Sequence, residues 1–168
     1  MHSFRIFFRY KMQLKRILIF LPALALIAIM ITPGLACELQ TELWAGRDHN
    51  PVGTVTVDIV GDHLHITYRT TGCWYLAETN LAVTNSFEDI PQTNKGNPKV
   101  GQFPYKTDHD PMVTEFTYEV PPGSGTHYIA AHAVVYCDCG EGFSETAWGQ
   151  GPTHQEFPGN SWALYFTY

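Results

Sequence analysis

Basic residues are scarce over most of this chain, and their placement is uneven. Five of the ten Lys and Arg (Arg5, Arg9, Lys11, Lys15 and Arg16) fall before residue 37, in a stretch with no acidic residue. Residues 37–168 carry the other five against all sixteen Asp and Glu, a formal charge of −11. A surface of that sign excludes nucleic acid and anionic membranes as partners, because both are bound through basic patches. Charged residues are few overall, at 15%, whereas aromatics reach 14%. A disordered chain has the opposite balance, so residues 37–168 read as one folded domain. That stretch also lacks helical periodicity, internal repeats and blocks of like charge.

Motifs for common chemistries are missing as well. Ser124 in Pro121-Pro122-Gly123-Ser124-Gly125 sits in a turn and lacks the strand–turn–helix setting of a nucleophile elbow. Gly149-x-Gly151 is followed by Pro152 and not by a helix, which excludes a dinucleotide loop. Trp148-Gly149-Gln150-Gly151 imitates the end of an antibody variable domain, but the Cys–Trp–Cys spacing of that domain is absent.

What is present begins with an export signal over residues 1–36. A basic stretch closes at Arg16, and Ile17 to Ile31 is apolar apart from Pro22. Gly34 and Ala36 then supply the small residues of a cleavage site. The apolar run is short for a membrane span, which needs about 20 residues. Met12 offers an alternative start of ordinary length. No further membrane segment follows, so residues 37–168 are expected to be secreted. Cys37, directly after the cut, could carry lipid, although Gly34 stands where a branched aliphatic residue is wanted. With Cys73, Cys137 and Cys139 it completes an even set of four, and disulfides are permitted outside the cell. A Cys137–Cys139 bond spans one residue and is disfavoured. The expectation is therefore that Cys37 and Cys73 each reach one member of the Cys137-Asp138-Cys139 corner. A Cys-x-Cys metal site is the weaker reading, lacking a second thiol pair at zinc spacing.

Alternation predicts strands. Val55, Val57 and Ile59 share one face. Leu64, Ile66 and Tyr68 face in, while His63, His65, Thr67 and Arg69 face out, with Gly61-Asp62 as a hairpin turn. Further strands are expected over Trp74–Thr84, Val113–Val120, His127–Cys137, Phe143–Trp148 and Trp162–Tyr168, with Leu39–Ala45 as an edge strand. The near-continuous apolar run His127–Cys137 should be buried on both faces. About seven to eight strands suggest an antiparallel β-sandwich, immunoglobulin-like or a related Greek key. One connection, Asn85–Met112, is too long for a turn, and its Phe87, Phe103 and Tyr105 argue that it is packed.

Several strings resemble a family of exported prokaryotic β-domains without an established activity. They are Trp74-Tyr75-Leu76-Ala77-Glu78-Thr79, Gly96-Asn97-Pro98 with Gly101-Gln102-Phe103-Pro104-Tyr105, and His109-Asp110-Pro111. Tyr128-Ile129-Ala130-Ala131-His132-Ala133, Glu145-Thr146-Ala147-Trp148-Gly149, and Phe157-Pro158-Gly159 with Trp162-Ala163 complete the set. The resemblance covers about Leu43 to Tyr168 and implies a secreted or surface-displayed β-module. It brings no reaction and no ligand, and the cysteines are not part of its pattern.

Three polar residues stand inside apolar strands: Glu78, His132 and Glu145. Alternation puts Glu78 on one face with Trp74 and Leu76. Buried polar groups need partners, so these three form either a structural network or the floor of a pocket walled by Trp74, Tyr75 and Trp148. For glycan binding, Trp74, Trp148, Phe103 and Tyr105 would stack on sugar rings, with Glu78 and Asn97 fixing hydroxyls. A small hydrolase using Glu78, His132 and Glu145 is the enzymatic alternative. A third reading has the long loop recognising a surface protein. Asp108, His109 and Asp110 form a candidate calcium cluster without EF-hand spacing, and His63 with His65 have the spacing for a shared metal. The reading taken forward is a secreted or cell-surface module with a binding or structural role.

Overall fold

The structure, a computed structural model, describes residues 38–121 and 123–168. Residues 1–36, where an export signal is expected, and Cys37 lie outside the described residues. The fold is all-β and antiparallel. The described residues form ten strands: β1 (Leu39–Ala45), β2 (Asn50–Val60), β3 (His63–Thr70), β4 (Trp74–Thr84), β5 (Tyr105–Val113), β6 (Glu115–Val120), β7 (Tyr128–Cys137), β8 (Phe143–Gly149), β9 (Gln155–Glu156) and β10 (Leu164–Thr167). Eight of them run in one sheet in the order β5-β4-β7-β8-β1-β2-β3-β6, and β10 pairs with the start of β7. The facing layers expected of a sandwich therefore belong to one continuous sheet, curled until it is nearly a barrel.

Its two edges, β5 and β6, follow each other in the chain. Side chains close the seam between them. The Tyr118 hydroxyl donates to the Thr79 carbonyl at 2.9 Å and lies 3.1 Å from Thr107 Oγ1. The Tyr105 and Tyr118 rings stand 5.8 Å apart, and His109 packs on Phe116 at 4.7 Å. On the next strand, the buried Tyr68 hydroxyl donates to the Asn80 carbonyl at 3.0 Å, and burial pushes its pKa up.

The interior is the expected alternation made solid. Val55, Val57, Leu64, Ile66 and Tyr68 are buried in it, joined by Leu43, Leu76, Leu81, Ile129 and Val135. Ile59, at the hairpin end, is half exposed. Gly61 sits at φ 64 in the two-residue turn between Val60 and His63, the conformation such a hairpin requires. Strand β7 is buried on both faces as its sequence suggested. Leu39–Ala45 differs from expectation: it lies between β2 and β8 and is not an edge.

A second cluster lies on the outer face of β4, β7 and β8. Ala82, Ile90, Phe103, Ala130, Trp148, Phe157 and Leu164 are buried there. The long connection is packed over this face, as its aromatics indicated, but it ends sooner than expected. Tyr105–Val113 is a strand, because Lys106, Asp108 and Asp110 alternate with the less exposed Tyr105, Thr107 and His109. Pro111, in a cis peptide, had disguised it. Asn97 fastens the loop, its Oδ1 accepting from the Ser161 N–H at 3.0 Å. A side chain on Gly159 would collide with that same Oδ1.

Cys73 and Cys139 form a disulfide. Of the corner's two cysteines, the exposed one is therefore used; Cys137 is buried and unpaired among the described residues, and the expected bond from Cys37 lies outside them.

Candidate functional site

Strand β4 carries a bulge between Leu76 and Glu78. Leu76 faces the interior, but the extra residue shifts the phase, so Glu78 joins Asn80 and Ala82 on the outer face. This corrects the shared face expected for Trp74, Leu76 and Glu78. Across the sheet, register then aligns Lys106, Asn80, His132, Trp148 and Trp44 in one row through β5, β4, β7, β8 and β1.

The row is polar at one end and aromatic at the other. Asn80 Nδ2 donates to Glu78 Oε1 at 2.8 Å and lies 3.3 Å from His132 Nδ1. Lys106 Nζ reaches Glu78 Oε1 at 3.1 Å. The Asn80 hydrogen bond, with Lys106 next, holds the Glu78 carboxyl below its usual range against the opposing effect of burial. Burial takes His132 down to about 4; Glu78 pulls it up and Lys106 pushes it further down. His132 is therefore neutral near pH 7, and its ring meets Trp148 edge-on at 4.7 Å.

Beyond Trp148 the row opens into a cluster of four part-exposed rings. Trp44 stacks on His49 at 4.8 Å and meets His154 at 5.2 Å. His49 lies 5.7 Å from His154 and 5.8 Å from Trp162. The backbone here is unusual. Among the described residues, His49 (φ 55) and His154 (φ 47) are the non-glycine residues with positive φ, and both touch the same indole. Left-handed backbone at a non-glycine residue costs roughly 1–3 kcal/mol and concentrates at functional sites. Three buried polar atoms without a hydrogen-bond partner, His154 Nδ1, Gln155 Oε1 and Ser161 Oγ, lie in the segments that present these rings.

The other residues singled out in the sequence are dispersed. Trp148 and Phe103 are 5% and 6% exposed, so neither offers a face to a sugar. Tyr105 and Trp74 pack against the interior cluster, Trp74 also touching Phe143 at 5.5 Å. Asn97 serves the loop clamp. Glu145 pairs in register with Val135, an interior residue, one position out of phase with Trp148, so it does not join Glu78 and His132. Asp108 and Asp110 point outward, while His109 turns inward to Thr79 Oγ1 at 3.0 Å; alternation keeps these three from one ion. His63 bonds Asp62 at 2.7 Å. Sequence reasoning passed over Lys106, Trp44, His49, His154 and Trp162. Asn80, a polar residue next to Leu81 mid-strand, was a usable signal. Nothing local marked the two histidines, which are brought together only by the fold.

No protein-family model, no curated protein and no solved structure matches this chain.

Proposed function

We propose that the chain is an exported β-module that binds carbohydrate through the ring cluster of Trp44, His49, His154 and Trp162. The observation carrying this reading is the pairing of strain with exposure: two histidines hold left-handed backbone to frame one part-exposed indole. Stacked, part-exposed rings suit the apolar face of a pyranose. The chain's acidity favours neutral over polyanionic glycans. Export is supported by the basic, apolar and small-residue succession of residues 1–36 and by the disulfide. The strings that resemble exported prokaryotic β-domains fall on β4, β5, β7, β8 and the loops between strands, and one of them carries Trp162. Cys37 remains the point at which lipid could tether the module to a cell surface.

The test is a glycan array followed by titration monitored by tryptophan fluorescence. Neutral oligosaccharides should bind, and Trp44→Ala or Trp162→Ala should abolish the signal. A folded protein that retains no glycan on the array would end this reading and leave the surface-protein alternative.

A further inference from the structure

At one end of the barrel, the start of β4 and the end of β7 bring three sulfurs together. Trp74 and Cys137 are register partners, and the Asp138 N–H donates to the Cys73 carbonyl at 2.9 Å, fixing the corner against β4. The Sγ atoms of Cys73, Cys137 and Cys139 all lie within 4.8 Å of one another, and those of Cys73 and Cys137 are 3.8 Å apart. Two thiolates sharing one ion at about 2.3 Å stand about 3.8–4.0 Å apart, in tetrahedral or trigonal geometry. Cys73 and Cys139 are joined in the disulfide, and the Cys73–Cys137 separation is that of two thiolates on one ion, so with that bond open three sulfurs stand within reach of a single cation.

We propose that Cys73, Cys137 and Cys139, in their thiol form, bind one thiophilic d10 cation, Zn²⁺ or Cu⁺. Sulfur donors select such ions over calcium or magnesium. Binding forms three metal–sulfur bonds and releases three protons, with no electron transfer. The chain is synthesised with its cysteines as thiols, so metal capture and formation of the Cys73–Cys139 bond compete for the same sulfurs. A finished disulfide is returned to thiols by a phosphine and water: the phosphine becomes its oxide, and the two sulfurs gain two electrons and two protons. Burial shields Cys137 from solvent while the disulfide is formed.

The experiment uses the full chain with Cys37→Ser, so that three thiols remain, reduced by phosphine under argon and titrated with Co²⁺. One equivalent should bind, with thiolate-to-cobalt charge-transfer absorption, and should be displaced by Zn²⁺ or Cu⁺; the order of displacement identifies the preferred ion. The oxidised chain should bind none. Cys137→Ser and, separately, Cys139→Ser should each weaken binding by about 100-fold or more. Circular dichroism covers instability of the reduced chain: if it unfolds without metal, one equivalent of Zn²⁺ or Cu⁺ must restore the strand signal. Absence of charge-transfer absorption, binding that survives Cys137→Ser, or a reduced chain that stays unfolded with metal would each overturn the proposal.

Discussion

Asn80 Nδ2 lies 3.3 Å from Nδ1 of the buried His132, so the imidazole accepts at that atom and carries its proton on Nε2. A protonated ring would set two donors against each other. The hydrogen-bond geometry and the depressed pKa of about 4 thus describe the same neutral histidine.

Stability should consequently fall in acid over a defined window. Unfolded, His132 takes up its proton near pH 6.5; folded, it does so near 4. Between those values the unfolded chain binds more protons, so stability drops as pH falls from 6.5 to 4, by about 3 kcal/mol. Glu78 acts in the same direction but lower, its depressed carboxyl losing its contribution below pH 4.5. Thermal melts from pH 7.5 to 4 should show the loss, and His132→Gln should flatten the upper part of the curve. An unchanged slope in that variant would remove His132 as its source.

The seam between β5 and β6 should depend on one hydroxyl. Tyr118 Oη contacts the Thr79 carbonyl, Thr79 Oγ1 and Thr107 Oγ1. Tyr118→Phe keeps the ring and strands these groups, which should cost about 1–3 kcal/mol in denaturant unfolding. Amide exchange in β5 should quicken more than in β2.

The clamp between the long loop and the segment before β10 gives a paired prediction. Gly159→Ala should destabilise by about 1–3 kcal/mol, because the new methyl meets Asn97. Asn97→Ala removes the amide part of the obstacle along with the Ser161 hydrogen bond, although the Asn97 backbone nitrogen still crowds the new methyl, so the double variant should be less destabilised than the sum of the two single variants. Strict additivity in chemical denaturation would count against the contact.

How far the sequence could be read follows from the range of each signal. Alternation is local, and it located β2 and β3 with Val55, Val57, Leu64, Ile66 and Tyr68 inward, while β7 was marked by its near-continuous apolar run. It failed at Glu78, where a single inserted residue reverses the facing of everything after it, and at β5, where Pro111 imitates a loop. Pairing is not local: nothing in Leu39–Ala45 says whether it has one neighbour or two. The polar residues His132 and Glu78 were conspicuous because apolar strands surround them. His49 and His154 were not, since a histidine in a turn looks ordinary until its φ and its neighbours are known.

Those two histidines supply the last prediction. If their left-handed backbone is maintained for packing alone, replacement should simply destabilise the fold. If it is maintained to frame Trp44 for a ligand, stability and binding should separate. Asparagine tolerates positive φ better than most side chains, so His49→Asn and His154→Asn relieve strain while losing a ring contact worth about 0.5–1.5 kcal/mol. These opposing terms should leave each variant within about 1 kcal/mol of the parent. Glycan affinity, lacking the framing ring, should drop at least about tenfold, or 1.4 kcal/mol. Melting and fluorescence titration on the same samples decide it: a large loss of stability with unchanged affinity would return the cluster to a packing role.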